Sequence, residues 1–209
     1  GLFLTSSSAG TVTINGTISG PGTLVVRNPN LSTGGTLTSP VRFDPNVVGI
    51  TMPARTYGSN VEIYNNDALG NCTVTMGGGT HDITGNLTVN ATSTMNCTLT
   101  ATTNNPTVNV TGNLDDTGAG SGTEVIQTGT GVWTVSGNVD FTSGTFTATA
   151  GNTLVMNGTS KTLTSAAQTL QNLTLSGSIT LANATHTVSG NLNMTGATIT
   201  AGTSTILMN

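Results

Sequence analysis

The chain has 209 residues, and only 6% of them are charged, 4 Lys or Arg against 8 Asp or Glu, where an ordinary soluble domain carries about 25%. Thr (46), Gly (28), Asn (23) and Ser (17) make up more than half of it. Helical bundles and coiled coils are excluded for want of Leu, Ala, Glu, Lys and Arg, membrane-spanning helices by the shortness of the apolar runs, and a nucleic-acid or anionic-lipid footprint by a net charge of −4.

Leu2-Phe3-Leu4 opens the chain as a short apolar strand. Thr11-Val12-Thr13-Ile14 follows, and the same alternation returns at Thr107-Val108-Asn109-Val110. Period-2 spacing of β-branched residues marks half-buried strands and speaks against disorder. Residues 1–55 hold five of the six Pro (Pro21, Pro29, Pro40, Pro45, Pro53) and three of the four basic residues (Arg27, Arg42, Arg55). Pro removes a ladder donor, so this stretch is expected to form irregular end coils or a cap.

Residues 56–209 read as a repeat. Gly-Asn-apolar-x stands at Gly85-Asn86-Leu87, Gly112-Asn113-Leu114, Gly137-Asn138-Val139 and Gly190-Asn191-Leu192, with Ser59-Asn60-Val61 as a variant. The Asn spacings are 26, 27, 25 and 53, the last taken as two periods. Asn71-Cys72-Thr73-Val74 recurs one period on as Asn96-Cys97-Thr98-Leu99. A fixed period with several strands per repeat predicts an all-β parallel solenoid, or β-helix, of about eight coils of roughly 26 residues. The competing architecture is an antiparallel β-sandwich. In the solenoid Asn60, Asn86, Asn113, Asn138 and Asn191 would form one amide-to-amide ladder. Val61, Leu87, Leu114, Val139 and Leu192 would form an inward column beside it. The Gly before each Asn would supply the unusual backbone angles of a corner.

The candidate chemistry is sparse. Cys72 and Cys97 share one inward phase and would come within about 5 Å at Cα, which suits either a disulfide or a stack of buried thiols. His81 and His186 occupy a position that also takes Val108 and Trp133, which marks a packing column. Asp115 and Asp140 would be outward neighbours in adjacent coils, where a Ca²⁺ ion could bridge them; no other cofactor is expected. No basic residue lies near those acids, so glycosidase-type chemistry, and enzyme activity generally, is not expected. Thr reads as spread around the whole coil, which weighs against an ice-binding face. Asn15, Asn90, Asn157 and Asn183 stand in Asn-x-Ser/Thr sequons, so glycosylation is an expectation in a secreted protein.

The run Gln168-Thr169-Leu170-Gln171-Asn172-Leu173-Thr174-Leu175-Ser176 followed by Ser189-Gly190-Asn191-Leu192 resembles the repeats of large secreted surface proteins of bacteria and archaea. The Gly-Asn-Leu block is similar to that of haemagglutinin-like β-solenoids. The resemblance covers residues 50–209 and implies an extracellular or cell-surface structural or adhesive protein. The expected function is a structural subunit of a filament, sheath or surface fibre. Copies of the chain would pair by β-stacking, with Leu2, Phe3 and Leu4 as the docking strand and no membrane insertion. The alternative is an adhesin or carbohydrate-binding module using Arg27, Arg42 and Arg55 toward glycans.

Overall fold

A computed structural model describes residues 1–5, 10–32, 34–45, 49–65, 70–92, 94–118, 120–182 and 184–209. Among them there are 29 short strands and no helix, and every strand pair is parallel. The chain winds as a parallel β-solenoid of three faces, visiting first, second and third face in turn. The antiparallel sandwich is thereby excluded.

The first face stacks ten strands from Leu2–Thr5 to Thr198–Thr200, and includes Leu24–Arg27, Val41–Phe43, Val61–Asn65, Leu87–Ala91, Leu114–Asp116 and Val139–Asp140. The third face stacks nine, from Thr17–Ile18 to Leu192–Asn193. The second face is built in three stretches. Its middle stretch is Ile50–Met52, Cys72–Met76, Cys97–Thr100, Glu124–Gln127 and Thr145–Thr147. With neighbouring strands about 4.8 Å apart, the ten strands of the first face span about 43 Å.

Strand register gives the coil lengths. On the first face the paired positions run Leu2, Leu24, Val41, Val61, Leu87, Leu114, Val139, Leu163 and Leu181, successive steps of 22, 17, 20, 26, 27, 25, 24 and 18. The period near 26 holds only in the middle. The end coils are shorter, so the rod makes about nine turns rather than eight. The strands from Leu2–Thr5 to Thr56–Tyr57, a stretch with five of the six Pro, build three of the short coils on the same faces.

Alternation decides what is inside. Val61, Ile63 and Asn65 are buried while Glu62 and Tyr64 point out, and the same holds for Cys72, Val74 and Met76 against Thr73 and Thr75. The buried apolar side chains form one continuous core from Ile14 to Val188. Each coil contributes a few of them, which is how a chain with 3% aromatics fills its interior. Phe141 and Phe146 stack at 4.2 Å between centroids, joining the first face to the second.

Candidate functional surfaces and buried groups

Corner asparagines hold neighbouring coils together. Asn60 Oδ1 accepts the N–H of Asn86 at 2.9 Å, Asn86 Oδ1 that of Asn113 at 2.9 Å, and Asn113 Oδ1 that of Asn138 at 2.9 Å. Asn138 Oδ1 then accepts from Thr162 N at 2.9 Å. The bonds run from side-chain oxygen to backbone N–H, not amide to amide, because the corner N–H has no strand partner and must be satisfied locally.

Asn191 does not belong to this column. Leu192 pairs with Leu173 on the third face, and Asn191 N donates to Asn172 Oδ1 at 2.8 Å. The coils before it contract, through the steps from Val139 to Leu163 and from Leu163 to Leu181, so the same motif arrives at a different corner. His186 moves with it: it lies on the second face opposite Ile206, whereas His81 lies on the third opposite Val108.

Gly85, Gly112 and Gly137 have no positive φ. They are needed for room: a Cβ on Gly112 would collide with Asn86 Oδ1 and the Gly85 backbone, and one on Gly137 with the Gly112 backbone. The glycine lets successive corners approach closely enough for the Asn bond to form.

Both histidines are buried and serve corners. His81 Nε2 donates to Gly77 O at 2.9 Å and His186 Nε2 to Ala182 O at 3.0 Å, each to the residue four earlier. Burial, partly offset by the Gly77 carbonyl and Asp82, holds the His81 imidazole below its usual pKa. Trp133 Nε1 and Tyr57 OH do the same work on Thr128 O and Pro53 O.

Asp115 and Asp140 are register neighbours on the first face. Thr142 N donates to Asp140 Oδ1 at 3.0 Å, and burial raises the Asp115 carboxyl. Among the described residues no group of three or more His, Cys, Asp or Glu comes together around a common point. The residue beside Asp115 is of another kind. Asp116 continues the alternation inward and is 1% exposed, as is Glu124 of the same coil. Asp116 Oδ1 accepts from Ser143 N at 3.1 Å, but Oδ2 has no partner. Burial pushes its carboxyl up to about 7, opposed by the N–H groups of Ser143 and Gly144 and reinforced by Asp140 and Glu124. Sequence reasoning singled out neither buried acid, although alternation from Leu114 and Ile126 carried the signal.

Charge is sorted by face. The outward residues Arg42, Glu62, Asp115 and Asp140 lie on the first face, Arg42 bonded to Glu62 at 2.7 Å and lying over Tyr64. Arg27 pairs with Asp44 at 2.8 Å and Arg55 donates to Ser32 O and Gly35 O, so all three arginines of the N-terminal coils are committed within the chain. The middle stretch of the second face carries no outward charge. Seven of its nine outward positions are threonine, Thr51, Thr73, Thr75, Thr98, Thr100, Thr145 and Thr147, with Val125 and Gln127 as the exceptions. Threonine is spread over the coil as expected, with Thr17, Thr36, Thr56, Thr80, Thr107, Thr134, Thr153 and Thr174 outward on the third face, but on this stretch it fills most of two adjacent uncharged ranks.

Cys72 and Cys97 are register partners at the start of two second-face strands, both buried, with Glu124 next in their column. Leu2 and Phe3, in the first strand, are 51% and 60% exposed, while Leu4 packs partly on the core. Of the sequon residues, Asn15 and Asn157 are exposed. Asn90 lies in a strand and donates its Nδ2 to Glu62 Oε1 at 3.0 Å, and Asn183 lies outside the described residues. No protein-family model, curated protein or solved structure matches the chain.

Proposed function

We propose that this solenoid is a structural segment of an extracellular filament, sheath or surface fibre, in which copies stack along the rod axis. The observation that supports it is the axial ladder, which runs without a break on the first and third faces. All three faces are parallel, so the backbone hydrogen bonds run along the rod, and each coil presents to the next the same edge it receives. Leu2–Thr5 on one copy has the form of the strand that Thr198–Thr200 of another would accept on the first face. Edge pairing of this kind is heterologous and propagates. The apolar side chains exposed near the two ends, Leu2, Phe3, Leu207 and Met208, would be covered by it. With a single Lys and three Arg, all the Arg internally bonded, the chain also offers a trypsin-like protease few sites, which suits persistence outside a cell.

Electron microscopy and light scattering of the purified chain over a concentration series test this reading. Rods that lengthen with concentration are expected. Phe3→Pro, which removes an edge donor, should shorten them without unfolding the monomer. Stable monomers at high concentration would overturn the reading.

A second reading, binding to ice, is favoured by one specific observation, the two threonine ranks on the second face. Hydroxyls and methyls repeat there at about 4.8 Å along the axis and about 6.7 Å along each strand, on an uncharged face. Such a lattice can order water in a flat layer. Thermal hysteresis that is lost in Thr98→Lys, with melting unchanged, is the expected result; its absence in the unaltered protein rejects the reading.

A further inference from the structure

Cys72 and Cys97 lie in the first two long coils of the rod, just past the change from short to long coils. The step from Val41 to Val61 is 20 and the step from Val61 to Leu87 is 26. The two cysteines join the first long coil to the second, each directly after the corner between first and second faces. That corner is held on both sides of the pair. Asn96 N donates to Asn71 Oδ1 at 3.0 Å, and Thr123 N to Asn96 Oδ1 at 3.0 Å. Cys72 N donates to Asn96 O at 2.8 Å and Cys97 N to Thr123 O at 3.0 Å. The backbone therefore gives the two side chains one register and no freedom to slip past each other.

The sulfur atoms lie 2.7 Å apart, and both residues are fully buried. A disulfide needs about 2.05 Å between sulfurs and Cα atoms roughly 4.4–6.8 Å apart; parallel neighbours at about 4.8 Å meet the second condition. Sulfur movement of about 0.7 Å meets the first. We propose that Cys72 and Cys97 are a covalent modification site, closed as a disulfide that staples the first long coil to the second.

The bond requires a two-electron oxidant, a protein or low-molecular-weight disulfide. One cysteine, as thiolate, attacks it and expels the first donor thiolate, giving a mixed disulfide. The second cysteine, deprotonated, attacks the sulfur of the first and expels the second donor thiolate. Two protons and two electrons leave with the donor, which ends as two thiols. The step belongs to folding, before the coil closes. In the folded reduced form the contact with Cys72, burial and nearby Glu124 all hold the Cys97 thiol far above its ordinary pKa, and no oxidant reaches it.

Refolding the reduced chain in a mixture of glutathione and glutathione disulfide tests the geometry. The product is then unfolded in denaturant and alkylated with iodoacetamide. The expected outcome is no labelling before reduction, two labels after it, and a peptide pair linked through residues 72 and 97. The bridged protein should melt several degrees above its reduced form. The Cys72→Ser, Cys97→Ser double variant should lose this difference between oxidised and reduced samples while keeping strand circular dichroism. If that variant does not fold, Cys72→Ala, Cys97→Ala serves the same comparison. Two labels before reduction in the refolded protein would overturn the proposal. The extracellular reading enters only through the supply of oxidant in the cell. Reduced cysteines in natively isolated protein that nonetheless bridges on refolding would count against that reading and leave the geometry intact.

Discussion

Asn86 Oδ1 accepts the backbone N–H of Asn113 at 2.9 Å, one coil further along the rod. This bond turns a local corner residue into an inter-coil contact. Asn86→Ala should destabilise the protein by about 1 kcal/mol, since it leaves the Asn113 N–H without its acceptor. Asn86→Asp keeps an acceptor and should cost less. Urea unfolding followed by circular dichroism checks both, and equal losses for the two variants would refute the role given to Oδ1.

The glycine preceding each of these asparagines is there for space. Gly112→Ala drives a methyl into Asn86 and the Gly85 backbone and should cost about 1–3 kcal/mol. Gly78→Ala is the control: it meets only Asn104 Cβ at 3.8 Å and should change stability little. Parallel denaturant melts of the two variants decide the matter.

Asp116 makes stability depend on pH. Its folded-state pKa of about 7 lies above the 3.8 of a free aspartate, so the folded protein binds the proton more tightly than the unfolded chain. The contribution is fully present below about pH 4 and is lost as pH rises through about 7, on the order of 2 kcal/mol after solvent screening. Asp115, also raised, acts in the same direction. Melting temperature should therefore fall between pH 4 and pH 8, and Asp116→Asn should flatten that fall. A slope unchanged in Asp116→Asn would show that other groups set it.

Ala166 and Ala167 form a turn in left-handed backbone, at φ 48° and 65°. A Cβ in that region costs roughly 1 kcal/mol. Ala167→Gly should offset that strain and raise the unfolding free energy by a few tenths to about 1 kcal/mol. Thermal and urea melts of this variant provide the measurement.

Glycan acceptance should follow exposure and bonding of the amide nitrogen. Expressed in a glycosylating host, Asn15 and Asn157 should be modified. Asn90 should not, because its Nδ2 is held by Glu62 within a strand. Peptide mapping by mass spectrometry reads all three sites.

Much of the interior was legible in linear order. Alternation from Val61, Leu87 and Leu114 places the core residues, and the paired Asn-Cys-Thr blocks place Cys72 against Cys97. Some of what went unread was present in the same pattern: Asp116 and Glu124 fall on inward positions, but acidic side chains suggest the surface. The assignment of Asn191 failed for another reason. Gly-Asn-Leu encodes what any corner of this rod needs, room for close approach, an acceptor for a stranded N–H and an inward apolar side chain. It carries no mark of which corner.

The sequence by itself determined strand character, the inside and outside of each strand, the corner residues and the near-absence of charge, because these are short-range demands of backbone, burial and stacking. Only the tertiary structure decided the number of coils and the face on which each motif lands, since phase depends on the summed lengths of all preceding turns. It likewise decided that outward charge gathers mostly on the first face and that seven of the threonines line up in two uncharged ranks on the second. Those columns join residues a whole coil apart in the chain, and only its winding sets them side by side.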